Sequence, residues 1–485
     1  MHTFFLAAVL AASPLLLDVP FVQQKPDFCG EAVAEMGLRY LGRAVSQDDV
    51  FDASGVDPSL GRGAWTDELA RALRRLGVEP GPVWYRAKPG AAAGDAQWAQ
   101  LKADDAPSDE VIYHEPAEPD GANRRMARAR FLQLMAFKPT AEHWTYIRLR
   151  LSPQEATALP RPETPRAPNR LPDRREASET EASRAHERRA PELCRWAQRG
   201  ARERVCPAHR EDRSPQQVGQ PVRRSRPAAA AQHVLELRRT LPRGMTVVWE
   251  RPFLVVGNEE PQTVRRRGKE VVRWTRDLLL KDFFAEAPSE LEEIWVLKDA
   301  ASYQRLSREL FGTNPETPYG YYLPSRHAQV MNIRPGYGTL VHEMVHPFMH
   351  HAWPDAPAWL NEGLASLFEF PFEDEGHLKG RVNWRLPALQ QGLAAGRVAS
   401  FSSLAHFSQD EFYEDVDGTH YAAARYLCHW LQEKGALTTL VRRAIELKAE
   451  DPSGFRALGE ALGGEPDTLR AEWERYVQRL SRRGS

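Results

Sequence analysis

The chain has 485 residues, which is too long for one ordinary hydrophobic core and indicates two or three domains. Its composition, with 42% hydrophobic and 27% charged residues, is that of a globular protein. The net charge of -1 gives no electrostatic reason to expect nucleic acid or an anionic membrane as a partner, and no apolar run reaches the length of a membrane span.

Residues 1–17 form a short apolar segment with two open interpretations. It is a candidate secretory signal peptide, because residues 4–17 are mostly apolar and include small residues at Ala11, Ala12 and Ser13. Against export, the segment carries no Lys or Arg, and a domain begins almost at once at Val19. The alternative is a first strand packed on the N-terminal domain. Periplasmic, extracellular and cytoplasmic locations therefore all stay open.

Residues 18–151 have the pattern of a compact α/β domain. Apolar residues at helical spacing predict two helices and short apolar runs predict two strands, at residues 31–41, 66–76, 111–113 and 144–149. Cys29 stands at the start of the first helix, where the helix dipole stabilises a thiolate. Gln23 or Gln24, a short distance upstream, is a candidate oxyanion-hole donor. The competing interpretation of Cys29 is a buried structural cysteine.

The segment QQKPDFCGEA at residues 23–32 resembles the C39-like cysteine peptidases, and the resemblance extends over about residues 18–150. It implies a papain-like α/β fold, with Glu115 standing where the family has an aspartate. Residues 91–109, which should supply the catalytic histidine, contain none, and His114 directly precedes Glu115. Because a cysteine without a base is a weak nucleophile, we predict a catalytically degenerate domain that binds a peptide or docks on the C-terminal domain.

Residues 152–233 are dominated by Arg, Pro, Ala, Glu and Ser and carry no apolar periodicity. Such a segment cannot bury enough surface to offset its ordering entropy, so it is predicted to be a disordered linker. An out-of-frame stretch of a GC-rich gene would have the same composition, and both interpretations stay open.

Residues 234–485 return to a globular pattern. The predicted elements alternate strands and helices before a mostly helical remainder: strands within 246–256, broken at Arg251-Pro252, a helix at 270–284, a strand at 293–297, a helix at 301–310 and a strand at 329–333. The predicted fold class of the whole chain is therefore α+β, with a small mixed sheet in the C-terminal domain.

The sequence GTLVHEMVH at residues 338–346 carries the clearest chemistry in the chain. His342 and His346 are one helical turn apart and project from the same face, which lets both imidazoles reach one tetrahedral zinc ion. Glu343 lies between them, where it can take a proton from the water that the metal activates and pass it to a leaving amine. The alternative without a metal site is a helix with two surface histidines and an acidic neighbour.

A third ligand is available in PAWLNEGLASLFE at residues 357–369. Glu362 follows a proline-rich turn that leaves room for an antiparallel return of the chain, so its carboxylate can complete a His₂Glu set. The alternative for Glu362 is an exposed acid favoured by the dipole of its helix.

Two further features support a peptidase site. The segment beginning GYY at residue 320, together with the strand at 329–333, predicts an edge strand to which an extended peptide can add by main-chain hydrogen bonds. Tyr421 begins a predicted helix at 421–432, where its hydroxyl is a candidate to stabilise an oxyanion, although a core tyrosine is the commoner role.

The segments GTLVHEMVH and PAWLNEGLASLFE, together with HYAAARYL at residues 420–427, resemble the gluzincin metallopeptidases (the peptidase MA group) over roughly residues 240–480. The resemblance implies one Zn²⁺ per chain held by His342, His346 and Glu362, with Glu343 as general base and Tyr421 as the transition-state tyrosine. The chain lacks a GAMEN-like segment to hold a free amine, so an endopeptidase or a specialised peptidase is favoured over an aminopeptidase.

Three functions follow from these patterns. The first is a zinc metallopeptidase acting on a peptide or protein, with an inactive C39-like partner domain. The second is a peptide- or cell-wall-binding protein with a structural or vestigial metal site, and the third is a working cysteine peptidase. No nucleic-acid partner and no integral membrane span are expected, and the oligomeric state is open.

Overall fold

The computed structural model describes residues 19–80, 84–86, 110–114, 116–120, 122, 124–127, 143–145, 225–315, 317–323, 326–415 and 417–481. These residues mix helices with strands, which confirms the predicted α+β class. None of the helices within these ranges combines the length and apolar character that crossing a bilayer requires. The predicted signal segment at 1–17 and most of the predicted linker lie outside the described residues.

The N-terminal part of the chain has three helices and four short strands. They are α1 (Cys29–Tyr40), α2 (Gln47–Ser54), α3 (Thr66–Arg75), β1 (Trp84–Arg86), β2 (Glu110–Tyr113), β3 (Arg124–Ala127) and β4 (His143–Thr145). The strands pair antiparallel as β1 with β4 and β2 with β3. Both predicted helices and the predicted strand at 111–113 are confirmed, while residues 146–149 lie outside the described part of the chain.

A helix occupies the end of the predicted linker. The linker was expected to run to residue 233, whereas α4 spans Pro227–Leu237. The reason is tertiary: Ala228 and Ala231 pack with Phe28 and Phe51 of the N-terminal part in one buried cluster. Small apolar side chains fit this interface, so an alanine-rich segment that looks featureless by composition becomes ordered by what it contacts.

Ion pairs and a hydrogen bond stabilise the same contact between α4 and the N-terminal part of the chain. Arg226 donates to Asp52 at 2.9 Å and to Asp49 at 2.6 Å, and the backbone N–H of Ala228 donates to Asp52 at 2.8 Å. The described residues on either side of the predicted linker therefore belong to one compact unit.

The C-terminal part is built on a five-stranded mixed sheet of order β5-β6-β7-β9-β8. Its strands are β5 (Thr246–Glu250), β6 (Phe253–Gly257), β7 (Glu292–Leu297), β8 (Gly320–Leu323) and β9 (Ala328–Asn332). The pairs β6–β7 and β7–β9 are parallel, and β5–β6 and β8–β9 are antiparallel. The predicted strands are confirmed, and β8 is the outermost strand on its side within the described residues, as the sequence predicted for an edge strand.

Helices surround this sheet and make up most of the remainder. They are α5 (Pro261–Arg267), which continues through a wider π turn (Gly268–Arg273) into α6 (Trp274–Asp282), then α7 (Ala300–Phe311), α8 (Gly338–Ala352), α9 (Ala358–Leu367), α10 (Leu386–Ala394), α11 (Phe401–His406), α12 (Gln409–Tyr413), α13 (Thr419–Glu433), α14 (Leu437–Leu447), α15 (Phe455–Leu462) and α16 (Arg470–Arg479). A two-stranded hairpin of β10 (Pro371–Asp374) and β11 (His377–Gly380) follows α9. The predicted helix at 270–284 begins earlier than expected, because Pro261 at the first turn starts a continuous helical segment.

Alternating strand residues divide between the two faces of the sheet. Leu254 and Trp295 lie in a core cluster with residues of α4 and α7. On the opposite face, Phe253 packs against Phe348 of α8 with ring centroids 6.3 Å apart. Gln329 of β9 donates to the backbone carbonyl of Glu343 at 3.2 Å. The sheet thus fixes the position of α8, the helix that carries the histidine pair.

Candidate metal centre

Helix α8 presents both histidines on one buried face. The ring centroids of His342 and His346 are 5.0 Å apart, as expected for residues one turn apart. Both side chains and Glu343 between them are buried. At its first residue, Gly338, the helix comes very close to the backbone of Glu369. Only glycine fits there, because a Cβ would lie 1.9 Å from the Glu369 carbonyl oxygen.

Helix α9 brings the third predicted ligand to the pair. Oε2 of Glu362 lies 3.5 Å from Nε2 of His342, and Glu362 is 1% exposed. One ligand atom from each of His342, His346 and Glu362 lies within 4.8 Å of the other two. Glycine makes this packing possible: a Cβ at Gly363 would meet the carbonyl oxygen of Ala424 on α13 at 2.9 Å.

The chemistry of this donor set fits a divalent cation. Burial, followed by the charge of His346, pushes the pKa of His342 well below its usual value, and burial also lowers the pKa of His346. A lowered pKa favours the neutral form of each ring, which can offer a lone pair to a cation. Burial raises the pKa of Glu362 to about 7, and among the described residues its Oε2 has no hydrogen-bond partner. Such a buried carboxylate oxygen is costly unless a cation or a donor satisfies it.

The separation of the donor atoms agrees with tetrahedral coordination. With bonds of about 2.0–2.1 Å, neighbouring ligand atoms of a tetrahedral zinc ion are about 3.3 Å apart. The 3.5 Å between His342 and Glu362 is close to that value and longer than a charge-assisted hydrogen bond.

Two residues that the sequence analysis did not identify make hydrogen bonds to the predicted ligands. The amide oxygen of Asn361 accepts a hydrogen bond from Nδ1 of His346 at 2.9 Å. This contact assigns the proton to Nδ1 and leaves the lone pair of Nε2 available to a metal ion. The Tyr413 hydroxyl donates to Oε1 of Glu362 at 2.9 Å. Asn361 stands next to Glu362 in the chain, so its position was a usable signal. Tyr413 comes from a separate short helix and carried none.

A buried ion pair lies on the other side of His342. Oε1 of Glu369 lies 3.8 Å from Nδ1 of His342. Arg385 binds both oxygens of Glu369, at 2.7 and 3.0 Å, and Asn383 donates to the same carboxylate at 2.8 Å. The guanidinium neutralises a carboxylate that would otherwise be expensive to bury so close to the metal ligands.

Tyr421 lies next to Tyr413. It is buried, its ring centroid is 6.1 Å from that of Tyr413, and the guanidinium of Arg385 lies 5.2 Å from its ring. The tyrosine hydroxyl placed on a ligand carboxylate is that of Tyr413. The oxyanion role predicted for Tyr421 stays a prediction.

The predicted thiol site is partly within the described residues. Cys29 is the first residue of α1 and is exposed with a free thiol. The backbone N–H of Gln24 donates to the Pro116 carbonyl at 2.8 Å, and the Gln23 carbonyl accepts from Gln47 at 3.1 Å.

The candidate catalytic partners of the Cys29 thiol are His114 and Glu115, and His114 makes other contacts. The His114 ring hydrogen-bonds the Val19 carbonyl at 2.7 Å and stacks edge-on against Phe21. Glu115, the predicted acid, lies outside the described residues. The ring of His114 is thus engaged with the irregular segment before α1.

Comparison of the sequence with models of known protein families gave no match, and comparison with curated proteins gave none either.

Proposed function

We propose that the protein is a zinc-dependent peptidase of gluzincin type whose C-terminal part, residues 234–485, carries the catalytic centre. The single observation that carries this proposal is the buried cluster of one ligand atom each from His342, His346 and Glu362 within 4.8 Å, with Glu343 buried beside it. Two neutral imidazoles and one carboxylate are a zinc donor set that leaves a coordination position open.

Each residue of the centre has a separate proposed role in peptide hydrolysis. Zinc held in this cluster would polarise a peptide carbonyl and activate a water molecule. The Glu343 carboxylate would accept a proton from that water and return it to the leaving amine. Asn361 keeps the imidazole of His346 in its ligating tautomer, and Tyr413 orients Glu362 so that Oε2 faces the histidines.

The sheet edge supplies a binding surface for an extended substrate. Strand β8 (Gly320–Leu323) is outermost within the described part of the sheet and pairs antiparallel with β9 on its inner side. Burial raises the pKa of Tyr322 on this strand, and the charges of Glu292, Glu290 and Glu343 add to the effect. An extended peptide added to β8 favours an internal peptide bond over a free terminus as the substrate.

The N-terminal part is proposed to be a catalytically degenerate C39-like domain. Cys29 has the expected position at a helix start, but the His114 ring is engaged by Val19. Its packing on α4 favours a role in docking over an independent cysteine peptidase activity.

One observation favours a second candidate, a binding protein with a structural metal site. His342 and Glu343 are 4% and 1% exposed, which is deep for groups that must meet a substrate. Structural zinc sites are closed, whereas catalytic sites keep one position for water.

Metal analysis and hydrolysis assays on the full chain separate the two candidates. We expect about one zinc lost on Glu362→Ala and none on Glu343→Gln, while Glu343→Gln abolishes hydrolysis of a peptide library. Glu309→Gln, a change to an exposed acid that pairs with Arg305, should alter neither property and serves as the control. Wild-type protein that binds zinc but hydrolyses no peptide would favour the structural role, and folded protein without metal at this cluster would refute both.

A further inference from the structure

A second histidine–carboxylate group lies at the ends of two sheet strands, apart from the proposed catalytic ligands. Glu292 is the first residue of β7, Glu290 stands two residues before it, and His327 directly precedes β9. Nδ1 of His327 lies 3.3 Å from Oε1 of Glu292 and 3.5 Å from Oε2 of Glu290. One atom from each side chain lies within 4.8 Å of the other two.

Glu292 is the unusual member of this group. Its side chain is 6% exposed, and among the described residues its Oε2 has no hydrogen-bond partner. Burial raises the pKa of Glu292, and the hydrogen bond to His327 only partly opposes this effect. An unsatisfied buried carboxylate oxygen needs an explanation, because it loses hydration without gaining a partner.

Two other buried carboxylates that face histidines show what a satisfied arrangement looks like. Glu293 lies 2.6 Å from Nε2 of His233, and its second oxygen accepts from the Trp295 indole at 2.6 Å. Asp282 lies 2.6 Å from Nδ1 of His377, and its second oxygen accepts from a backbone N–H at 2.7 Å. In both pairs the histidine contact is a short hydrogen bond and each carboxylate oxygen has a donor.

At Glu292 the hydrogen bond to the histidine is longer, and the second carboxylate oxygen has no donor among the described residues. The group's two N···O separations of 3.3 and 3.5 Å match the roughly 3.3 Å between ligand atoms of a tetrahedral zinc ion. They also match the 3.5 Å between His342 and Glu362 at the proposed catalytic centre. Glu290 and His327 are half-exposed, so the group is open to solvent on one side.

We propose that Glu290, Glu292 and His327 form a second binding site for a divalent cation of the zinc class. Two carboxylates and one imidazole suit such a cation better than calcium, which takes oxygen ligands. The cation would balance the charge of the buried Glu292 carboxylate and join the start of β7 to the start of β9.

The place of this site in the fold gives it a consequence for the edge strand. Tyr322 of β8 lies in the combined field of Glu292, Glu290 and Glu343, which adds to burial in raising the pKa of its phenol. A cation at the second site would offset two of these three negative charges. It would also hold β9, the strand against which β8 is paired, in register with β7.

Zinc counting on the full chain tests the site. The protein is dialysed to equilibrium against a buffered zinc solution, and bound zinc is measured by mass spectrometry. We expect about two zinc ions per wild-type chain, about one for His327→Asn, about one for Glu362→Ala and none for the double variant. Asparagine suits this position because the backbone of His327 has a φ of 49°.

Matched variants keep the outcome interpretable. His377→Asn removes a histidine whose carboxylate partner is already satisfied, so it should leave the zinc count unchanged. If His327→Asn does not fold, Glu290→Gln at a half-exposed position replaces it. A wild-type count that His327→Asn and Glu290→Gln both leave unaltered overturns the second site. A count lowered by His327→Asn but not by Glu362→Ala supports it while refuting the proposed catalytic centre.

Discussion

The hydrogen bond from His346 to Asn361 makes a quantitative prediction about metal affinity. Asn361→Ala removes the acceptor that lies 2.9 Å from Nδ1 of His346. The ring is buried, so little water can replace the lost amide, and the freed imidazole can change its tautomer. Loss of such a supporting group typically weakens metal binding about 10- to 100-fold, or about 1.4–2.7 kcal/mol. The cost of about 1–3 kcal/mol for an unpaired buried donor has the same size.

Competition with a chromophoric chelator at pH 7.5 measures this change. Asn361→Asp keeps an acceptor and should retain most of the affinity, whereas Asn258→Ala removes a remote acceptor, that of the Lys298 backbone N–H, and should have no effect. Wild-type zinc affinity in Asn361→Ala, together with a large loss in Glu362→Ala, would refute the role assigned to Asn361.

Three further changes test the site and its surroundings. Tyr413→Phe removes the 2.9 Å hydrogen bond to Glu362 and should lower zinc affinity about tenfold in the same competition assay; unchanged affinity would contradict it. Gly363→Ala places a Cβ 2.9 Å from the Ala424 carbonyl, so urea unfolding should show a loss of about 1–3 kcal/mol; wild-type stability would mean that α9 and α13 can separate freely. Burial raises the pKa of Glu31 from 4.5 to about 7, so the folded state binds this proton more tightly than the unfolded state does. The stabilisation is complete below pH 4.5 and is lost as the pH rises through 7. Glu31→Gln should therefore raise the free energy of unfolding at pH 8 by up to about 3 kcal/mol and flatten its pH dependence, and a parallel pH profile for the two proteins would contradict this.

Local patterns in the sequence were enough to predict much of the fold. Helical spacing and apolar runs predicted α1, α3, α7 and the sheet strands, because these elements are selected by side-chain periodicity within a few residues. The same reasoning missed α4, whose alanines are ordered by packing against Phe28 and Phe51, far away in sequence. Composition alone cannot reveal that a segment will pack against residues far away in the sequence.

The candidate metal centre divides in the same way. The spacing of His342 and His346 by itself determined that both rings share one helix face, since a helical turn is a local property. Only the tertiary structure decided that Glu362 comes within 3.5 Å of His342, because that distance depends on how α9 packs between α8 and α13. No sequence signature predicts the contact of Tyr413 with Glu362. The same is true of the group formed by Glu290, Glu292 and His327. Their residues come from separate elements, and only long-range packing brings separate elements together.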